Sequence, residues 1–182
     1  MKKIKSVCVF CGSSSGAKGK YMPVAQAAGT LLARAGYEII YGGARIGLMG
    51  ALADAALEEG GKVIGVLPRF LQNKEIAHEG LSALHLTDTM HERQVGMAER
   101  ADAFLILPGG LGTLAEFFEV LTWKQLGLHD KPVILVNGFG YWDSLLAFAT
   151  HAQAEQFMHP GDRALFHTLD NIEALEDHLK RL

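Results

Sequence analysis

The stretch Ala103-Phe104-Leu105-Ile106-Leu107-Pro108-Gly109-Gly110-Leu111-Gly112-Thr113-Leu114-Ala115-Glu116 decides how the rest of the chain is read. Five consecutive apolar residues describe a strand covered on both faces, because a strand with one wet face would alternate apolar and polar. Pro108 ends the run, three glycines turn the chain, and from Leu111 the spacing becomes helical as far as about Leu126. A buried strand, a glycine turn and a helix make up the first part of a βαβ unit, whose next strand runs parallel to the first.

The same module recurs on both sides of it. Ser6–Phe10 reads as a strand, with a loop from Cys11 to Gly19 and a helix over 21–35. Glu38–Tyr41 leads through Gly42-Gly43-Ala44-Arg45-Ile46-Gly47 into a helix with Leu48, Leu52 and Ala55 on one face. Strands follow at 62–67 and 84–86, separated by an irregular connection over 69–83. Asp88 or Thr89 caps a helix that runs to about Arg100. After the central stretch come a strand at 132–136, a helix over 141–156, a weak strand at 164–169 and a terminal helix from Asn171. Apolar strands alternating with helices predict an α/β chain: one doubly wound, Rossmann-like domain over 1–182, a parallel sheet with helices on both faces.

Composition sets outer bounds. The chain has 182 residues, 17 basic and 20 acidic side chains, a net charge of −3 and 49% hydrophobic residues. That length suits one domain, and the composition is that of a packed core. A slightly acidic chain lacks the footprint of a nucleic-acid binder. No run approaches the roughly 20 apolar residues of a membrane span. Basic residues open the sequence, but the apolar run from Val7 to Cys11 is too short for a secretory leader, so a cytoplasmic location is expected. Cys8 and Cys11 could suggest a redox or zinc pair, yet Cys8 lies within a strand and residues three apart on a strand face opposite ways. They read as buried or loop thiols, with no metal expected.

Glycine is in excess, at 21 residues. Gly42, Gly43, Gly47 and Gly50 form one cluster and Gly109, Gly110 and Gly112 another, each between a strand and a helix. In a doubly wound sheet that is the carboxyl edge, where ligands bind. A helix N-terminus presents unpaired N–H groups to an anion, and glycine lets the backbone approach it. Thr113 adds a hydroxyl, and Ser13 and Ser14 sit on the same edge after the first strand. A P-loop is excluded, because Lys18 follows Ala17 and precedes Gly19. Gly110 to Ala115 satisfies G-x-G-x-x-A, but the acidic ribose reader of a dinucleotide site should end the next strand, which ends at Val136-Asn137.

Two side chains carry the candidate chemistry. Glu116 lies one turn into the helix behind the glycine loop, where the sugar of a bound nucleotide would sit, unless it serves only its own helix N-terminus. Arg93 reads either as a solvated helical arginine beside Glu92 and Glu99 or as a fork for phosphate or carboxylate. Glu119 faces elsewhere.

Several stretches together resemble the Lonely guy family: Cys11-Gly12-Ser13-Ser14, Tyr41-Gly42-Gly43-Ala44-Arg45-Ile46-Gly47-Leu48-Met49-Gly50, Met90-His91-Glu92-Arg93, Pro108 to Glu116, and Thr122-Trp123-Lys124-Gln125-Leu126-Gly127. These are cytokinin riboside 5′-monophosphate phosphoribohydrolases, long labelled lysine decarboxylases. The resemblance spans about Ile4 to Phe157. It implies cleavage of the N-glycosidic bond of AMP or an N6-prenylated AMP to free base and ribose 5-phosphate, with no cofactor. It implies that Arg93 and Glu116 are catalytic, and that Ser13, Ser14, Gly43, Glu75, Gln94, Gly109, Gly110, Gly112, Thr113 and Thr122 bind substrate. It also implies a homodimer with sites near the subunit interface, for which Phe117 to Trp123 and Tyr141 to Phe148 are candidate surfaces if they are not core. Two departures stand out: Gln94 replaces the family's usual lysine, and Ala44 a common third glycine.

Other readings predict different behaviour. A carrier of a nucleotide or pterin cofactor would bind without turnover, and a nicotinamide-dependent oxidoreductase would bind NAD(P) at Gly110 to Ala115. A pyridoxal-dependent lysine decarboxylase needs a Schiff-base lysine, and neither glycine loop holds one.

Overall fold

Strand β1 (Ser6–Phe10) is buried at every residue, as a strand with helices on both sides must be. The computed structural model describes residues 3–72 and 77–181. In it β1 is followed by α1 (Met22–Arg34), β2 (Glu38–Tyr41), α2 (Gly47–Glu58), β3 (Val63–Pro68) and β4 (Ala83–Thr87). Then come α3 (Met90–Arg100), β5 (Ala103–Ile106), α4 (Leu111–Gln125), β6 (Val133–Val136), α5 (Asp143–Ala154), β7 (His167–Leu169) and α6 (Ala174–Lys180). The seven strands form one sheet in the order β4-β3-β2-β1-β5-β6-β7, and every pairing is parallel. This is the expected doubly wound α/β architecture. The central β3, β5 and β6 are fully buried like β1, whereas β4 at one edge is only half-buried.

Alternation along each strand divides the core into two layers. Val7 and Val9 face α1 and α2, packing with Leu32, Leu52 and Leu105, and α6 adds Leu175 and Leu179. Cys8 and Phe10 point the other way, among Met97 of α3, Phe117 of α4 and Trp142. Cys11 belongs to the first layer, so the two thiols lie on opposite sides of the sheet, both buried and free. Burial pushes both thiols well above the ordinary range.

Helix ends follow local chemistry. Thr89, not Asp88, caps α3: its hydroxyl accepts from Glu92 N at 3.0 Å, and the Glu92 carboxylate accepts in return from Asp88 N at 2.9 Å. Asp88 is left to pair with Arg69 at 3.2 Å. The last strand is shorter than the sequence suggested, because Pro160–Leu165 closes into a 3₁₀ turn. Asp162 holds that turn by accepting from His159 N at 2.7 Å. Helix α5 starts at Asp143 and not at 141, since Asn137 Oδ1 draws in Trp142 N at 2.7 Å and a 3₁₀ turn forms over Gly138–Gly140.

Candidate active site at the carboxyl edge

Strand order reverses between β1 and β5, so their following loops diverge over opposite faces and leave a crevice. Three loops meet there. Gly12 N donates to Pro108 O at 3.0 Å, joining the β1 and β5 loops. Gly12 O accepts from Leu48 N at 3.0 Å and Met49 N at 3.3 Å, so the start of α2 is tied to the same peptide. Gly47 has φ +58°, and a Cβ there would lie 2.3 Å from the Ser13 carbonyl carbon. Only glycine permits this approach. The loops enclose a cleft of about 460 Å³, lined on one side by Gly12, Ser13, Ser14, Gly109 and Gly110, and on the other by Tyr21 and Tyr141. A larger cleft of about 550 Å³ lies at the opposite, amino end of the strands around Lys5, Tyr37 and Lys62, and holds none of the predicted site residues among those described.

Beside the β5 loop lies a buried ion pair. Arg93, one turn into α3, donates from one terminal guanidinium nitrogen to Glu116 Oε1 at 2.7 Å and from Nε to Val66 O at 3.2 Å. Arg93 is 8% exposed and Glu116 6%. A Cβ on Gly42 would stand 2.2 Å from the other terminal guanidinium nitrogen, so the β2 loop leaves that space to the arginine. The open question about Arg93 is thereby answered, since it is buried and held by a carboxylate. Burial of two opposite charges is tolerable when each compensates the other and hydrogen bonds fix the geometry.

The other predicted residues fall into three groups. Ser13, Ser14, Gly109 and Gly110 line the cleft, and Gly112 and buried Thr113 form the first turn of α4, whose N-cap is Gly110. Gly43 is buried at φ +80°, its carbonyl accepting from His78 N at 3.0 Å, and Gln94 is half-buried next to Arg93. Glu75 lies outside the described residues. Thr122 is exposed, its hydroxyl donating to Phe118 O at 2.8 Å. At 1.5 Å per residue it is roughly 9 Å along α4 from Glu116 and on another face, so a single chain does not bring it to the ion pair. Asn137, where a dinucleotide site would place its acid, is engaged with Asp143 Oδ1 at 2.7 Å. Tyr141 and the Val66 carbonyl were not anticipated as site groups. The glycines around Phe139, behind a strand on the same edge, were the available signal for Tyr141.

A crevice at the switch point, converging glycine loops and a helix start with no side-chain cap define an α/β protein shaped for an anionic ligand. A family model described as possible lysine decarboxylase matches residues 49–179. A cytokinin riboside 5′-monophosphate phosphoribohydrolase of Rhodococcoides fascians is 49% identical, the match covering 93% of this chain and 86% of that protein. One of Arabidopsis thaliana is 44% identical over 98% of this chain and 86% of its own. The chain belongs to this family, the Lonely guy family of the sequence motifs. The molybdenum cofactor binding protein of Rippkaea orientalis superposes with a TM-score of 0.74 over 100% of this chain and 98% of that one, at 23% identity, which shows the shared fold. The family's description does not suit the site. Among the described residues no lysine lines the cleft; Lys62 pairs with Glu38, and the Lys124 and Lys131 ammonium groups donate to backbone carbonyls.

Proposed function

We propose that this chain hydrolyses the N-glycosidic bond of AMP or of N6-modified, cytokinin-type adenosine 5′-monophosphates, releasing free base and ribose 5-phosphate. The observation that carries the proposal is the buried Arg93–Glu116 pair at 2.7 Å beside the glycine loop. The names of the relatives at 49% and 44% identity support it.

In this reading the phosphate lies against the N–H groups at the start of α4, with Thr113 and the serines Ser13 and Ser14 as further donors. The sugar then lies over Glu116. As the C1′–N9 bond lengthens, its electron pair moves to the base and positive charge develops on the sugar ring. A fixed carboxylate in a water-poor site stabilises that charge better than water does. Water bonds to C1′ and gives up a proton to Glu116, while the departing base takes up a proton from solvent at nitrogen and Glu116 later returns its own to solvent. Arg93 holds the carboxylate in place throughout. The reaction needs no metal and no organic cofactor. We place the protein in the cytoplasm and assemble it as a homodimer, with no nucleic acid or membrane as partner.

The test is a panel of nucleoside 5′-monophosphates assayed for released base. AMP or N6-prenylated AMP should yield base and ribose 5-phosphate. Glu116→Gln, which keeps a hydrogen-bonding group opposite Arg93, should lower the rate about a hundredfold or more with the fold intact. A variant as fast as wild type removes Glu116 from the chemistry. Tight nucleotide binding without base release over hours would instead make the chain a carrier.

A further inference from the structure

We propose that Tyr141 is a positioning residue for the phosphate loop, setting the direction in which the loop presents its N–H groups. The inference rests on the proposed phosphate site but adds a residue that neither the glycine pattern nor the family resemblance assigns to it. The Tyr141 hydroxyl donates to Gly109 O at 2.6 Å, across 32 residues of sequence. The ring that carries it is held on two sides, edge-on to Tyr21 at 5.0 Å and to buried Trp142 at 4.6 Å between ring centres. The hydroxyl is therefore delivered to the carbonyl by a fixed side chain, and both tyrosines line the cleft with Gly109 and Gly110.

The bond matters because of what it restrains. The peptide between Gly109 and Gly110 is flanked by two residues without Cβ atoms, so rotation of its plane is the softest motion in the loop. Around Gly110 nothing lies within 4 Å of where a Cβ would be, and packing there does not oppose the rotation. The neighbouring peptide is already fixed, since Gly12 N holds Pro108 O and Thr113 Oγ1 fills the space where a Gly109 Cβ would stand. In a trans peptide the carbonyl and the following N–H point opposite ways. Securing Gly109 C=O on Tyr141 therefore aims Gly110 N–H, and with it the entry to the first turn of α4. Tyr141 orders the anion site before the ligand arrives, and a pre-ordered site binds more tightly than one that must be ordered by its ligand.

Tyr141→Phe removes the hydroxyl and keeps the ring. Ribose 5-phosphate binding measured by calorimetry requires no turnover, so it tests Tyr141 even if the chain proves not to hydrolyse AMP. Its Kd should rise about five- to tenfold, the loss expected for one hydrogen bond. In the hydrolysis assay KM for AMP should rise by a similar factor with kcat nearly unchanged, and inhibition by adenosine, which lacks the phosphate, should not move. An unchanged Kd for ribose 5-phosphate overturns the proposal. So does a fall in Tm with Kd and KM unaltered, which would make the bond structural alone. Absence of base release by wild type would count against the hydrolase reading, and the calorimetric result would still decide the role of Tyr141.

Discussion

Arg93 and Glu116 leave water together, and neither would be stable there alone. Removing one partner of a buried pair leaves an uncompensated charge, at a cost of about 3 kcal/mol or more. A site built this way couples catalysis to stability, which is why glutamine is more informative than alanine at position 116. A half-buried histidine shows its role through pH. His129 Nδ1 accepts from Lys131 N at 3.2 Å, so Nε2 carries the proton and donates to Val120 O at 2.9 Å. Burial lowers its pKa, assisted by the Lys131 and Lys124 ammonium groups against the Val120 bond. His178 is lowered likewise, by burial first and then by His167 and Arg181. Below about pH 6.5, the ordinary histidine value, the unfolded chain binds these protons more readily than the folded one. Their contribution is whole above that value and is lost as pH falls through the lower folded values. The urea midpoint should therefore drop between pH 7.5 and pH 5, and the drop should shrink in a His129→Gln/His178→Gln double variant. An equal drop in that variant would locate the cause elsewhere.

At the scale of elements, the site depends on three loops being packed backbone to backbone, and Gly47 is where this is tightest. A Cβ there would meet Ser13 C at 2.3 Å and Ser14 N at 2.4 Å, and no side-chain rotation relieves a clash with main chain. Gly127 offers a comparison: it also has positive φ, at +73°, but its Cβ would meet nothing within 4 Å. Gly127→Ala carries only the backbone strain, about 1 kcal/mol, or roughly 2–4 °C in Tm for a chain of this size. Gly47→Ala should lower Tm by about twice that or more and weaken ribose 5-phosphate binding as the β1 and β2 loops separate. Equal losses in the two variants would mean that the loops tolerate the separation. The loops themselves were legible in the sequence, because apolar runs and glycine clusters are local signals. So was the layering that separates Cys8 from Cys11, which follows from strand alternation alone. The contact of Arg93 with Glu116 was not, since it joins residues 23 apart on two helices and depends on how they pack. Family resemblance, not spacing, singled out Arg93. The hydrogen bond from Tyr141 to Gly109 escaped for the same reason, and the 3₁₀ turn at Pro160–Leu165 escaped because Asp162 closes it through backbone groups that leave no periodic trace.

Over the whole molecule, a net charge of −3 is no obstacle to an anionic substrate. Backbone N–H groups at a helix start supply local positive potential without changing the overall balance. Among the described residues, α4 carries an exposed apolar stripe. Leu111, Ala115, Phe118, Thr122 and Leu126 are all exposed and recur at helical spacing along α4, with Leu111 87% and Phe118 45% exposed. The core side of the same helix holds Phe117 and Val120, so the aromatic segment is divided between core and exposed surface. In the proposed homodimer this apolar stripe meets a second copy, and a stable contact would bury roughly 1,200–2,000 Å² in all. Thr122 lies on the stripe and away from its own chain's Arg93–Glu116 pair, so any contact it makes with substrate would be to the partner's site. Wild type should sediment as a dimer at micromolar concentration. Phe118→Glu places a charge in the middle of the stripe and should give a monomer with an unchanged far-ultraviolet spectrum, an intact Arg93–Glu116 pair and a much reduced rate of base release. A monomeric wild type would remove the dimer. A monomeric Phe118→Glu chain with full activity would show that each chain completes its own site, and Thr122 would then have no part in binding.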